Sequence, residues 1–234
     1  MSTVIKSIFD SPKPKSVHFL NSYNMGLAMI DRQYAQLLGK STHNIVDGRV
    51  FMRTLKVCEW KRGISHIRGV DFFRESLKTT SSSGLKAKKH FLLGSTDEVL
   101  ENIQKFVLAH HPEIHVESYS PPFTDYQSLD FREIAIRLLA FNPDVVWVGL
   151  GTPKQDYIVE KIRNECGITA IAIGAAFDFV AGNKTESKKI YQVLGLEWMH
   201  RLFDEPKRLW RRYFIISPIS FFYPIRIKVI LVKR

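Results

Sequence analysis

The stretch Val145-Val146-Trp147-Val148-Gly149-Leu150-Gly151-Thr152-Pro153-Lys154-Gln155-Asp156 decides the fold. Its four apolar residues read as a buried strand, and Pro153 opens an apolar-periodic helix reaching to about Glu165. The glycine pair therefore occupies a strand-to-helix turn at a strand's carboxyl end, which is where open α/β sheets bind ligands. Glycines there let backbone amides approach a ligand, a helix N-terminus favours phosphate, and the Gln155 amide suits hydroxyls or a base edge. The same residues also read as a tight turn with proline at the first helical position, because one Gly-x-Gly is a weak motif.

The alternation continues outward from this block. Ahead of it, His90–Leu93 reads as a strand, Asp97–His110 as a helix introduced by a Ser95-x-x-Glu98 capping box, Ile114–Glu117 as a strand and Leu129–Phe141 as a helix. After it, Thr169–Ile173 reads as a further strand. Nearer the N-terminus, Ser16–Asn21 is a strand, Met25–Leu38 an amphipathic helix, and Asn44–Val46 a short apolar rise ending at Asp47-Gly48. Strands and helices in this order imply an α/β fold with a parallel sheet covered by helices on both faces. The serine- and lysine-rich run 79–89 reads as a solvated connection.

The chain has 234 residues, 45% of them hydrophobic, enough for one sizeable core and unlike a disordered protein. Residues 1–15, with Pro12 and Pro14, read as a flexible leader without the apolar region of a secretory signal; residues 16–194 form the core. Cys58 and Cys166 lie far apart outside any Cys-x-x-Cys cluster, which argues against a disulfide framework or structural zinc and fits a reducing cytoplasm. The longest apolar candidate, Tyr213–Ile225, is too short to span a bilayer and is followed by Arg226 and Lys228.

The net charge of +11 invites phosphate-rich ligands, anionic lipid or nucleic acid. From Arg201 onward nine basic residues face only Asp204 and Glu205, and they interleave with Trp210, Tyr213, Phe214, Ile215, Phe221 and Phe222. Residues 195–234 thus form a short basic, aromatic appendage of the kind that lies on an anionic membrane, each cation near the surface contributing about 1 kcal/mol. Its one predicted helix runs from Pro206 to about Ile216, capped by Asp204 or Glu205. A basic nucleic-acid-binding protein is the alternative, but it leaves the isoleucines and phenylalanines without a purpose. A nicotinamide-dependent oxidoreductase is weakened by the missing Gly-x-Gly-x-x-Gly after an early strand.

Several blocks in fixed order resemble the bacterial WecG/TagA/CpsF glycosyltransferases, glycosyltransferase family 26. They are Asp47-Gly48, Gly69-Val70-Asp71, Phe91 to Gly94, Val148 to Gln155, Gly174 to Gly182, Gly195 to Leu202 and Glu205 to Leu209, and together they cover nearly everything after Ser16. The resemblance implies a Rossmann-like core that transfers a sugar, with inversion, from a UDP-sugar to a polyprenyl (undecaprenyl)-diphosphate-linked saccharide. It places the reaction in bacterial surface polysaccharide synthesis, in the cytoplasm at the inner face of the cytoplasmic membrane. Self-association is implied as well.

The resemblance also assigns roles. Asp47 corresponds to the family's general base, which agrees with a carboxylate in a turn just after a strand; an Asp-Gly turn is also a common structural device. Asn21, Gly149, Gly151, Lys154, Gln155, Gly174, Phe177 and Asp178 fall in the donor-binding blocks, and Arg201, Arg208 and Arg211 in the segment that engages the acceptor diphosphate. Arginine suits that task because its planar fork binds phosphate oxygens in pairs and stays charged. Arg208 and Arg211, three apart, share a helix face.

Departures from the family pattern cluster around the same residues. His66, with Arg68 nearby, stands where the family has an arginine; Phe19-Leu20-Asn21 keeps the asparagine of a Thr-x-Asn but loses the hydroxyl. Glu186-Ser187-Lys188 replaces Arg-Ala-Pro, and Asp156 replaces a glutamate. No Asp-x-Asp motif occurs, and neither a metal nor another cofactor is expected.

Overall fold

A computed structural model describes residues 1–59, 66–82, 87–186 and 189–222. Its sheet has six parallel strands: β1 (Ser16–Leu20), β2 (His43–Val46), β3 (Lys89–Leu93), β4 (His115–Tyr119), β5 (Val145–Val148) and β6 (Thr169–Ala172). Their order is β2-β1-β6-β5-β3-β4, and helices cover both faces, so the Rossmann-like α/β architecture expected from the alternation is the one observed. β5 is buried along its whole length, which explains why it reads as an unbroken apolar run.

Alternate residues of each strand feed different cores. Val145 and Trp147 point into one face with Phe19, Phe72, Phe73 and Ile171, covered by α1 (Ser2–Phe9), α5 (Gly69–Ser82), α6 (Asp97–His110) and α9 (Ala176–Val180). Trp147 is the largest fully buried side chain, edge-on to Phe73 with ring centroids 4.7 Å apart. Val146 and Val148 point to the opposite face with Phe91, Ile134, Leu138 and Ile158, under α7 (Phe131–Phe141) and α8 (Lys154–Lys161). A third cluster, including Leu20, Met25, Tyr34, Leu38 and Phe51, joins α2 (Ser22–Ile30), α3 (Arg32–Lys40) and α4 (Arg49–Glu59) beside β1 and β2.

The structure corrects several boundaries. The flexible leader expected over residues 1–15 is instead a helix over its first part: Val4, Ile5 and Ile8 recur at helical spacing and are buried in the main core. The single helix expected over Met25–Leu38 is broken at Asp31, whose carboxylate accepts from the backbone N–H groups of Gln33 and Tyr34 and so caps α3. Thr96, not Ser95, caps α6 through a bond from Val99 N–H, while Ser95 takes a left-handed conformation with φ 71°. The helix expected over Pro153–Glu165 gives way at Ile162 to one wide π turn, Ile162–Cys166. Of the connection expected over 79–89, Thr79–Ser82 complete α5, and residues 83–86 lie outside the described residues.

The C-terminal segment holds more helices than the one expected over Pro206 to about Ile216. It runs through α10 (Lys189–Leu194), α11 (Glu197–Asp204), α12 (Pro206–Arg211), a π turn (Arg212–Ile216) and α13 (Ser217–Phe222). α13 and the π turn lie along α2 so closely that a Cβ on Gly26 would come within 2.1 Å of the Ile216 carbonyl oxygen. Leu209, Ser217 and Ser220 are buried in this packing, whereas Phe203, Trp210, Phe214 and Ile215 are exposed. No helix among the described residues is long and apolar enough to cross a membrane. The basic residues Arg226, Lys228, Lys233 and Arg234 lie outside the described residues.

Candidate active site

A cavity of about 380 Å³ opens over the carboxyl ends of β1, β2, β5 and β6 and is roofed by residues of the C-terminal helices. Each strand delivers a turn to it. β1 ends in Asn21, whose side-chain oxygen accepts from the N–H groups of Tyr23 and Asn24 and thereby caps α2. β2 ends in Asp47, whose N–H donates to the Leu20 carbonyl at 2.7 Å and fixes the carboxylate's stem to the sheet; Gly48, at φ 87°, lets the chain turn into α4. The turn after β5 brings Gly151, Thr152 and Gln155 to the cavity wall, and Gly174 after β6, at φ 55°, faces the Gln155 amide.

Asp47 is the electrostatic centre of the site. Burial raises its carboxyl from an ordinary 3.8 to about 6; Arg201, Arg68 and Arg212 pull in the opposite direction, and Glu197 adds to the rise. A carboxylate held near 6 is mostly ionised at neutral pH and still basic enough to accept a proton, which is the compromise a general base requires. Cations line the cavity around it. Arg68 bonds Glu186 at 2.9 Å and lies 3.4 Å from Glu197, while the Arg201 guanidinium covers the Phe179 ring at 5.1 Å. Arg212 lies 4.3 Å over the Tyr23 ring, its Nε is buried with no hydrogen-bond partner, and burial lowers its affinity for a proton. Further out, Arg208 pairs with Glu205, and Lys184 bridges Asp178 at 3.3 Å and Glu205 at 2.6 Å.

Of the residues selected from the sequence, Asn21, Asp47, His66, Arg68, Gly151, Gln155, Gly174, Arg201 and Arg208 all line this one cavity. Gly149, Lys154, Phe177, Asp178 and Arg211 are not in its lining. Phe177 is a core residue beneath it, so close to Gly149 that a Cβ there would stand 2.4 Å from the ring. Lys154 donates to the Thr124 carbonyl at 2.8 Å, and Asp178 is engaged by Lys184. Arg211 is exposed, and the neighbouring Arg212 lines the cavity instead. Both three- and four-residue spacings from Arg208 stay on one helix face, so sequence alone does not choose between them. Tyr23 on α2, Trp198 on α11 and Lys184 in the bend after α9 line the cavity without having been singled out; a lone aromatic on a helix or a lysine in a loop carries no signal that separates a site from a surface. Among the described residues, no group of three His, Cys, Asp or Glu side chains is placed to hold a metal ion.

Comparison with known proteins agrees with this geometry. The chain matches the glycosyl transferase WecG/TagA/CpsF family over residues 1–233. It is 30% identical over 186 residues, 79% of this chain and 69% of the relative, to a Bacillus subtilis (strain 168) protein named N-acetylglucosaminyldiphosphoundecaprenol N-acetyl-beta-D-mannosaminyltransferase. A Staphylococcus aureus (strain NCTC 8325 / PS 47) protein of the same name is 26% identical over 211 residues, 88% of this chain and 80% of its own length. A six-stranded parallel sheet, a cavity at its carboxyl edge and a match along almost the whole chain converge: this protein is a glycosyltransferase and belongs to the WecG/TagA/CpsF family.

Proposed function

We propose that the chain transfers a sugar, with inversion, from a UDP-sugar to a saccharide carried on a polyprenyl diphosphate, in the synthesis of a bacterial surface polysaccharide. The observation that carries this reading is Asp47, a carboxyl raised to about 6 in a cavity that also receives Arg68, Arg201 and Arg212. A single base beside a cluster of cations suits one direct displacement. The acceptor hydroxyl oxygen bonds to the donor's anomeric carbon, the bond from that carbon to the β-phosphate oxygen breaks, and UDP departs with the electron pair. Asp47 takes the hydroxyl proton and later releases it to water. The arginines offset the charge that gathers on the departing diphosphate and hold that of the acceptor, a task for preorganised cations.

In this reading Gln155, Gly151, Gly174 and Asn21 hold the donor. Arg201 and Arg212 reach the acceptor diphosphate from the roof, and Arg208 stands at the rim. The exposed Arg211, Phe203, Trp210, Phe214 and Ile215 face the anionic lipid surface that carries the acceptor, so the appendage binds the membrane peripherally from the cytoplasmic side. The relatives' names specify N-acetylmannosaminyl transfer to N-acetylglucosaminyl diphosphoundecaprenol, which makes that pair the first donor and acceptor to try. The test is incubation with a panel of UDP-sugars and a short-chain polyprenyl diphosphate acceptor, read by product mass. One UDP-sugar should add one glycosyl residue; no product from any of them, with product from another nucleotide-sugar, would overturn the donor assignment.

A further inference from the structure

Behind the cavity wall runs a buried chain of polar side chains. His18, fully buried on β1, places Nδ1 2.9 Å from Asp156 Oδ1 and Nε2 3.1 Å from Glu160 Oε1. Two carboxylates can only accept, so both ring nitrogens donate and the ring is an imidazolium. Burial opposes that charge, but the two carboxylates outweigh it and keep the ring protonated to about pH 9. The second oxygen of Asp156 accepts from the Tyr34 hydroxyl at 2.8 Å, which leaves the Tyr34 oxygen free to accept from Asn24 Nδ2, also at 2.8 Å. Asn24 cannot turn its amide over without loss, because its Oδ1 accepts from the Asn21 backbone N–H. Asn24 Nδ2 also reaches Thr152 Oγ1 at 3.4 Å, and Gln155 Nε2 donates to the same oxygen at 3.3 Å.

The chain ends on an unused group. Gln155 is 5% exposed, lines the cavity and has a buried Oε1 without a hydrogen-bond partner. An orphaned buried acceptor costs about 1–3 kcal/mol unless something fills its place. Its counterpart Nε2 is committed to Thr152, so the amide offers the cavity an acceptor and not a donor. We propose that Tyr34 and Asn24 are positioning residues, which through Thr152 fix the direction of the Gln155 amide so that Oε1 receives an N–H or O–H of the bound nucleotide-sugar. The inference rests on the donor assignment made above and adds which atom of Gln155 reads the ligand and what orients it. None of Tyr34, Asn24 and His18 touches the ligand in this scheme.

The experiment is a double-mutant cycle read by calorimetric binding of UDP. Tyr34→Phe keeps the ring and deletes the hydroxyl that links Asp156 to Asn24. Acting through Gln155, it should weaken UDP binding about 5- to 10-fold in the otherwise unaltered protein and by less than about 2-fold in a Gln155→Ala background. An equal loss in both backgrounds would mean a general structural effect and would overturn the proposal. Should Tyr34→Phe fail to fold, Thr152→Val takes its place in the same cycle, with Thr152→Ser expected to restore binding; additive losses again overturn the relay. A second readout needs no ligand. The Gln155 side-chain amide resonances, assigned by their disappearance in Gln155→Ala, should move in Tyr34→Phe, and unmoved resonances would refute the coupling. A wild-type chain that ignores UDP but shows the resonance change would sink the donor assignment and leave the relay standing.

Discussion

Replacing Asp47 with asparagine separates the base from the rest of the site. The amide has nearly the same size but cannot accept the acceptor's proton, and general-base catalysis contributes about 10²- to 10⁴-fold. Turnover should fall by that factor while UDP affinity stays within about 3-fold, since Asp47 contributes no contact to the donor in the proposed arrangement. Stability should move the other way. Raising the carboxyl from 3.8 to about 6 means that ionisation opposes folding, a penalty absent below pH 4 and fully present above pH 6. At about 1.4 kcal/mol per pH unit the ceiling is about 3 kcal/mol, so Asp47→Asn should gain about 1–3 kcal/mol at neutral pH and melt several degrees higher. The wild-type pH profile follows from the same group: kcat/KM should climb about tenfold from pH 5 to pH 7 and then level. Mass-spectrometric turnover, calorimetric UDP binding and thermal melts together check these outcomes. Unchanged turnover in Asp47→Asn, or an acid limb far from pH 6, would refute the assignment of the base.

Three further outcomes follow from the geometry. Arg201 is the cation that most strongly favours ionised Asp47, so Arg201→Ala should shift the acid limb of kcat/KM to higher pH, measurable in a profile from pH 5 to pH 9. Gly26→Ala inserts a methyl group against the Ile216 backbone, which cannot rotate aside; limited proteolysis should then cleave the C-terminal segment first, and anionic liposomes should retain less protein. His18 has a folded-state value of about 9 against 6.5, so its stabilisation, about 3 kcal/mol by the same conversion, is complete below pH 6.5 and lost as pH rises through 9. Chemical denaturation between pH 6 and 10 should show that decline, and His18→Gln should flatten it.

The parallel sheet was legible because β3, β5 and β6 carry apolar runs bounded by turn residues, and the more polar β4 stands between helices of ordinary length. Asp47, Gln155 and Gly174 were legible because each lies in or just beyond the turn that follows a strand, where topology forces residues from distant sequence into one edge. The N-terminal helix was masked by Pro12 and Pro14, which describe the link after it and say nothing of Val4, Ile5 and Ile8. Arg212 was obscured by its neighbour, since helical spacing admits either arginine and only tertiary packing against Tyr23 selects one. The His18 relay left no trace in the sequence: its members are spread from residue 18 to residue 160, and a lone histidine in an apolar strand looks like any other core position.

The most direct trial of a one-base displacement is the stereochemistry of the product. With an α-linked UDP-sugar and a short-chain polyprenyl diphosphate acceptor, the one-bond carbon–proton coupling at the new anomeric centre should report the β configuration, with one UDP released per bond formed. An α-linked product would mean retention, and with it a mechanism in which Asp47 is not the base of a single displacement.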